Sequence, residues 1–305
     1  MGGSYSGLSA EEVEQFVTQG WVRLDDCFER QVAERWVAEA FARAGIDPAQ
    51  PSTWPRQLLF LGQQFGIKHV YDVARFAPKV WDACCRLLGG AERIDGPWLQ
   101  NDGFIVNAPD PAGAKASLPD AESNGWHVDG DFNHFLDSPE LGLLTVWLWS
   151  DVAADGGATY IAPEALGPIA RALLAHPEGL SAKALRLDYR FGRECRTFVP
   201  LCGPIGTVYL MHPLMLHSAS GNRSTKLRLI RNGAPSLREP LRFDRSDPAA
   251  FSPLERATLH ALGVERLDYQ PPPPERRHPT DHDTGAPKPK PERPSRSKRL
   301  AQVTE

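Results

Sequence analysis

Cysteine is scarce and unpatterned. Cys27, Cys84, Cys85, Cys195 and Cys202 are the only five in 305 residues; they form no C-x-x-C and match no zinc spacing. An odd number without a framework excludes a disulfide-stapled scaffold and a thiolate zinc site, and predicts a reduced, cytoplasmic setting. Long apolar runs are missing too, so no membrane span is expected. Met1 to Ser9 is polar and glycine-rich, with no basic stretch leading into an apolar one, which argues against a signal peptide. Neither sign of charge dominates: 34 Lys and Arg against 38 Asp and Glu leave a formal charge of −4. Nothing in that balance favours nucleic acid or an anionic membrane as a partner. No internal repeat is present.

What is there is an ordinary globular composition, 41% hydrophobic and 24% charged, with chain enough for a substantial core. Ser9 followed by Glu12, with Val13, Phe16 and Val17 behind them, reads as a capping box opening an amphipathic helix that Gly20 stops. WVRL at 21–24 alternates like a short strand. Gln31 to Ala44 and Val80 to Leu88 carry helical periodicity. From about Trp98 the texture changes to short runs rich in Val, Ile, Thr and Trp between Gly, Pro, Asp and Asn turns. These runs are FIVN at 104, LLTVWLW at 143, ATYIA at 158, TVYLM at 207 and KLRLIRN at 226. Many short strands with turn signals predict a sandwich or barrel. Leu166 to Ala175 and Pro253 to Leu262 read as helices among them. Residues 271–305 hold nine prolines, eight Lys and Arg and almost no aliphatics. That composition cannot bury enough apolar surface to offset its ordering entropy. The expected organisation is one domain over 1–270 and a disordered basic, proline-rich tail over 271–305.

The chemistry-bearing residues sit in two segments. The first, NGWHVDGDF at 124–132, places His127 and Asp129 two apart. On a strand, positions i and i+2 share a face, so one imidazole and one carboxylate can reach a common ion. Alone, H-x-D is more often a polar strand end with a solvated aspartate. The second segment, YLMHPLMLHSASGNRSTKLRLIRN at 209–232, delivers His217 from an apolar run, then a Ser/Gly/Asn turn, then Arg228 eleven residues on. Two histidines and one carboxylate leave three coordination positions open, the donor set of non-haem iron(II) oxygenases. A chelating keto acid takes two of those positions and dioxygen the third. A dicarboxylate co-substrate also needs its far end gripped, and a guanidinium does so with a planar fork. Arg228 alternates with Leu227 and Leu229, so it can point into a barrel while the leucines face a helical layer. The plainer reading makes Lys226 and Arg228 a solvated face.

These residues resemble the phytanoyl-CoA dioxygenase family. There an H-x-D on one strand is followed by a distal histidine, an asparagine five residues later and an arginine eleven later; here these are His127, Asp129, His217, Asn222 and Arg228. Trp147 in TVWLWSDV looks like a family tryptophan that lies near the co-substrate. The Gly156-Gly157 turn resembles the family's glycine-rich turn, LREPLRFDR at 237–245 and SPLERATLHALG at 252–263 are similar to the C-terminal part of one bacterial subgroup, and the resemblance covers roughly residues 9 to 270. It implies a mainly β fold with flanking helices, a double-stranded β-helix (jelly roll, cupin-like). His127, Asp129 and His217 would be the metal and catalytic residues, Arg228 and Trp147 would bind the co-substrate, and the cofactors would be Fe(II) and 2-oxoglutarate. The implied reaction is dioxygenase hydroxylation of a small-molecule metabolite with release of succinate and CO2, because Asp129 fills the position that family halogenases leave to halide. Pro163-Glu164-Ala165-Leu166 stands where the family often has P-G-S-H in a loop that borders substrate, which leaves the substrate open, and nothing resembles an acyl-CoA-binding determinant, so the family name does not give the substrate.

Other residues compete for roles. His212 is a rival third ligand, sixteen residues before Arg228 and directly ahead of Pro213. His134 could be a base beside the substrate, although its odd spacing from His127 favours the other face. Trp126 and Trp149 read as core or pocket wall. Two other classes stay open: a cupin-like metal-dependent hydrolase or isomerase, in which bound water is the nucleophile and Arg228 has no special task, and a non-catalytic binding protein on the same fold.

Overall fold

The structure is a computed structural model that describes residues 7–56, 58–110, 119–123, 125–188 and 190–270. The tail expectation for 271–305 lies outside the described residues. Seven helices are present among them: α1 Ala10–Gln19, α2 Arg30–Ala44, α3 Leu61–Phe65, α4 Val73–Phe76, α5 Pro78–Leu88, α6 Leu166–Ala175 and α7 Pro253–Leu262. The strands are β1 Trp21–Leu24, β2 Leu59–Phe60, β3 Val70–Asp72, β4 Leu99–Asn101, β5 Ile105–Asn107, β6 Asn133–His134, β7 Leu144–Leu148, β8 Thr159–Ile161, β9 Leu180–Ser181, β10 Val199–Pro200, β11 Val208–Met211, β12 His217–Ala219 and β13 Arg228–Gly233. Antiparallel sheets flanked by helices make up the described residues, as the strand-rich texture predicts. A six-stranded antiparallel sheet runs β1-β11-β7-β13-β5-β2, and a three-stranded one runs β10-β8-β12. Two small pairs, β3-β4 and β6-β9, sit outside them.

Local chemistry sets the helix ends. Ser9 Oγ accepts from Glu12 N while Glu12 accepts from Ser9 N, and Gly20 closes α1 at φ 77°. A side chain there would collide with Leu166 Cδ1, so this turn needs glycine twice over. A second capping box opens α7, where Ser252 and Glu255 reciprocate. Glu255 is fully buried and also accepts from Arg93 Nη2 at 3.0 Å and from the Arg242 backbone N–H at 3.0 Å. One carboxylate thus ties α7 to two distant segments, and α7 packs against α1 and α6.

The two faces of the large sheet differ, and its register sorts them. In β13, Arg228 stands opposite Asn107 of β5, and Arg231 stands opposite Trp147 of β7. Positions three apart point to opposite faces. One face therefore carries Leu229, Arg231, Trp147 and Trp149. It meets an aromatic layer from the α2 and α4 region, with Phe28 4.7 Å and Trp36 5.7 Å from Trp149. Burying an aromatic of this kind contributes about 1.5–3 kcal/mol. The other face carries Arg228, Asn107 and Ile230.

Candidate metal centre and anion site

His127 lies outside any named strand. It forms an isolated antiparallel bridge with His217, the first residue of β12, through two 3.0 Å backbone hydrogen bonds. The strand expected to carry His127 and Asp129 is thus reduced to that bridge, and Asp129 follows it in a bend. The bridge still does the positioning work, because directly opposed residues share a face. The two imidazoles stand 4.2 Å apart, centroid to centroid. Asp129 Oδ1 is 3.4 Å from His127 Nε2 and 3.4 Å from His217 Nε2. Donors held about 2.1 Å from one ion stand roughly 3.0–3.4 Å apart at angles between a right and a tetrahedral one. Among the described residues this is the one cluster of three such groups whose ligand atoms all lie within 4.8 Å.

Second contacts fix the aim of both rings. His127 Nδ1 faces the Gly125 carbonyl at 2.8 Å, and His217 Nδ1 faces the Met215 carbonyl at 3.0 Å. A carbonyl only accepts, so each Nδ1 donates, and in the neutral imidazole the lone pair is then on Nε2. His217 Nε2 is buried with no hydrogen-bond partner among the described residues. An orphaned ring nitrogen beside a carboxylate is what a metal ligand looks like without its ion, and two nitrogens plus one oxygen, with no thiolate, suit iron(II). Burial by itself would raise the Asp129 carboxyl, but the two flanking imidazoles outweigh it and hold that group well below the usual carboxylate range. Burial presses His217 toward the neutral form, and the Asp129 carboxylate outweighs that, so its pKa is raised. The site opens on one side: the His217 side chain is 3% exposed, whereas His127 is 37% and Asp129 30% exposed.

Arg228 is 1% exposed, so it does not line a solvated face. Its Nε donates to the Gly157 carbonyl at 2.6 Å, while Nη1 and Nη2 find no partner among the described residues. Burial lowers its pKa to about 9. A buried guanidinium with two unpartnered amino groups could hold an anion. Gly157 lies at φ 77°, and a Cβ there would press on the Asn107 amide and on Asn222 Cβ, so the close approach requires glycine. Asn107, which the sequence reading missed, stands beside Arg228 in register and donates to the Ser220 carbonyl at 2.8 Å and the Gly157 carbonyl at 3.5 Å. The only signal for it was a polar residue closing the apolar run FIVN. Asn222 is buried and structural: its amide donates to the carbonyls of Asn107 at 2.9 Å and Lys226 at 2.8 Å. The triad and the guanidinium are linked through the small sheet. Ile161 is the register partner of His217, and Gly157 lies four residues before it, roughly 13 Å along the chain.

Trp147 is placed elsewhere than the resemblance implies. It lies on the opposite sheet face from Arg228, its indole donates to Thr145 Oγ1 at 2.9 Å, and its ring packs within 6.2 Å of Phe28, Tyr71 and Trp98. A side chain turned to the helical layer cannot also line the inner face, so Trp147 belongs to packing. His212 has both nitrogens occupied, Nε2 with Thr258 Oγ1 at 3.0 Å and Nδ1 accepting from Leu214 N at 3.1 Å. Full burial drives its pKa down to about 3. His134 is buried on β6, pinned to the Gly130 carbonyl at 3.2 Å, and its pKa is lowered by burial. Trp126 and Trp149 are both buried in packing, Trp126 stacked on Phe198 at 5.0 Å.

No protein-family profile matches the sequence, and no curated protein matches it. Several solved structures resemble the fold. SnoK, described as a non-haem alpha ketoglutarate dependent carbocyclase from nogalamycin biosynthesis, is 19% identical over 77% of this chain and 87% of its own, with a TM-score of 0.44. EctD from S. alaskensis, with bound Fe, is 15% identical over 77% of this chain and 79% of its own, at 0.47. EvdO2 from Micromonospora carbonacea var. aurantiaca, complexed with 2-oxoglutarate, is 14% identical over 76% of this chain and 94% of its own, at 0.41. These likenesses are loose and assign no residue a role.

Proposed function

We propose that this chain is an iron(II)- and 2-oxoglutarate-dependent dioxygenase related to the phytanoyl-CoA dioxygenase family, acting on a small molecule with dioxygen as co-reactant. The observation that carries the reading is the pairing of two unsatisfied groups. A His-Asp-His cluster presents an orphaned Nε2, and an inward guanidinium presents two orphaned amino groups. The cupin-like hydrolase reading gives the second no task, and a binding-only protein needs no such combination.

The fold supports a double-stranded β-helix. Along the chain β5, β7, β11 and β13 join the large sheet, while the His127 bridge, β8, β10 and β12 fall to the small one. That alternation is what winding two antiparallel sheets from one strand order produces.

His127, Asp129 and His217 would hold the iron, and Arg228 the far carboxylate of 2-oxoglutarate. When bound, these groups supply the oxidising chemistry: the keto acid becomes succinate and CO2, dioxygen is reduced, and a substrate C–H bond becomes C–OH. The chain's own residues do the rest. The Gly125 and Met215 carbonyls keep both Nδ1 atoms protonated and both rings aimed. Asp129 stays ionised, so no proton competes for its oxygen. The Gly157 carbonyl, shared by Arg228 and Asn107, holds the guanidinium in place. The buried side of the site, around His217, excludes water, and the open side, around His127 and Asp129, admits substrate.

The test is succinate formation by purified protein with iron(II), ascorbate and 2-oxoglutarate, compared with oxygen-free and metal-free controls. Oxygen-dependent succinate supports the proposal. Its absence in protein that binds both iron and 2-oxoglutarate would leave the binding-only reading.

A further inference from the structure

Alternation sorts the side chains of the β3-β4 hairpin. Tyr71 stands opposite Gln100, and both are buried against the protein. The outward face therefore carries Val70 opposite Asn101 and Asp72 opposite Leu99. A sheet face that meets only water is expected to be polar. Here Val70 is 62% and Leu99 54% exposed, the two highest values of any large hydrophobic side chain among the described residues. They are diagonal neighbours across the strand pair, so they form one surface.

The surface continues beyond the hairpin. Ile67 lies over Gly62 and Gly103, its Cδ1 filling the space that a Cβ on either would need, and Asn101 Oδ1 reaches the same spot at Gly103. Half-exposed Ile67 thus joins Val70 and Leu99 by way of Asn101. Phe65, also half-exposed, is three residues from Gly62 and on the same face of α3. Phe65, Ile67, Val70 and Leu99 together make a strip of a few hundred Å², the upper end of what a monomer usually leaves in water. The charges beside it are balanced. Lys68 Nζ is 2.7 Å from Glu39, and Arg75, 90% exposed, stands 4.0 Å from Asp72.

We propose that this strip is the contact between two copies of the chain, related by a two-fold axis. Such a contact lays a patch against its own image, so its rim must carry both signs of charge for the two copies to complement each other. The rim of Lys68, Glu39, Arg75 and Asp72 does so. An anionic lipid surface or a strongly charged partner would instead select a rim of one sign. The area agrees. Two strips bury twice the apolar surface of one, and interfaces are only a little over half apolar, so with its polar rim the contact comes to roughly 1,200 Å², where stable interfaces begin. A pair of that size forms reversibly, in the micromolar range. The inference stands apart from the oxygenase reading and does not depend on it.

Sedimentation velocity of the purified full chain across the micromolar range is the test, and it should show a monomer–dimer equilibrium. Leu99→Glu should weaken the dimer about a hundredfold or more, because the symmetry buries two unpaired carboxylates at once. The milder Val70→Thr, which keeps a branched strand former, should weaken it by about tenfold. Leu174→Glu, at an exposed apolar position on α6, should leave it unchanged. Far-ultraviolet circular dichroism of each variant separates lost association from lost folding. A chain that stays monomeric throughout the range, a dimer that survives Leu99→Glu and Val70→Thr, or one that Leu174→Glu dissociates would each overturn the assignment. So would a monomer that floats with neutral phosphatidylcholine vesicles and ceases to on Leu99→Glu, since the strip would then belong to a lipid surface.

Discussion

Arg228 is where the structure makes its sharpest numerical claim, because one substitution there should move stability and affinity in opposite directions. Without an anion, the guanidinium is held fully buried and its pKa falls from 12.5 to about 9. A depressed pKa on a cation means the unfolded chain binds the proton more tightly than the native one. The cost is therefore fully present below pH 9 and is relieved only as pH rises from there toward 12.5. At neutral pH that amounts to about 5 kcal/mol, at about 1.4 kcal/mol per pH unit. Against it stands one hydrogen bond to the Gly157 carbonyl, worth about 0.5–1.5 kcal/mol. Arg228→Met keeps much of the volume and removes the charge, so the ligand-free variant should be at least as stable as wild type in urea, and up to a few kcal/mol more so. The same change should cripple co-substrate binding. Truncating one partner of a buried charge pair costs about 3–5 kcal/mol, or two to four orders of magnitude in affinity. Arg228→Lys should recover only part, lacking the fork. Anaerobic titration of 2-oxoglutarate into iron-loaded protein, followed by its charge-transfer absorbance, gives the affinity, and urea unfolding with and without 2-oxoglutarate gives the linkage. Unchanged affinity in Arg228→Met or Arg228→Ala, or a marked loss of ligand-free stability, would refute the reasoning and return the site to the hydrolase reading.

Three further outcomes are expected. His217→Ala should lose iron, measured by metal content after desalting, whereas His212→Ala should keep it and lose stability; loss of metal from the His212 variant alone would reverse the assignment. Because burial pushes the His212 pKa down to about 3, the unfolded chain takes up a proton that the native one refuses as pH falls below about 6.5. Stability relative to His212→Asn should therefore fall by about 1.4 kcal/mol per pH unit below 6.5, down toward pH 3; a pH-independent difference in urea midpoints between pH 6.5 and 4.5 would count against a buried neutral ring. Glu255→Gln should destabilise by about 3–5 kcal/mol, since Arg93 and Arg245 lose their shared carboxylate; a shift of under 1 kcal/mol in chemical denaturation would show that the arginines reach water instead.

Much of this protein is written locally. The capping box at Ser9, the glycine stop at Gly20 and the bounds of α6 and α7 follow from side chains within one or two turns of each other, so residue order alone determines them. Local spacing also made a shared site for His127 and Asp129 and an inward Arg228 possible, but it left each with a solvated alternative that only the packing removed. The second capping box, Ser252 with Glu255, is equally local, although only the structure brought it out. Partnership across the chain is another matter. That His217 stands opposite His127, and not merely somewhere downstream of it, is a statement of register between segments ninety residues apart. Register is set by the packing of both sheets. The same physics turned Trp147 away: its apolar neighbours looked alike on either face, and only the alignment of Arg231 against it decided which face met the helices. His212 and His217, five residues apart, are indistinguishable as isolated imidazoles. Tertiary structure separated them by burying one against Thr258, with both nitrogens satisfied, and leaving the other with an orphaned nitrogen beside Asp129. Residue types and their local spacing determined the chemistry available, and long-range pairing decided which copies of each group converge.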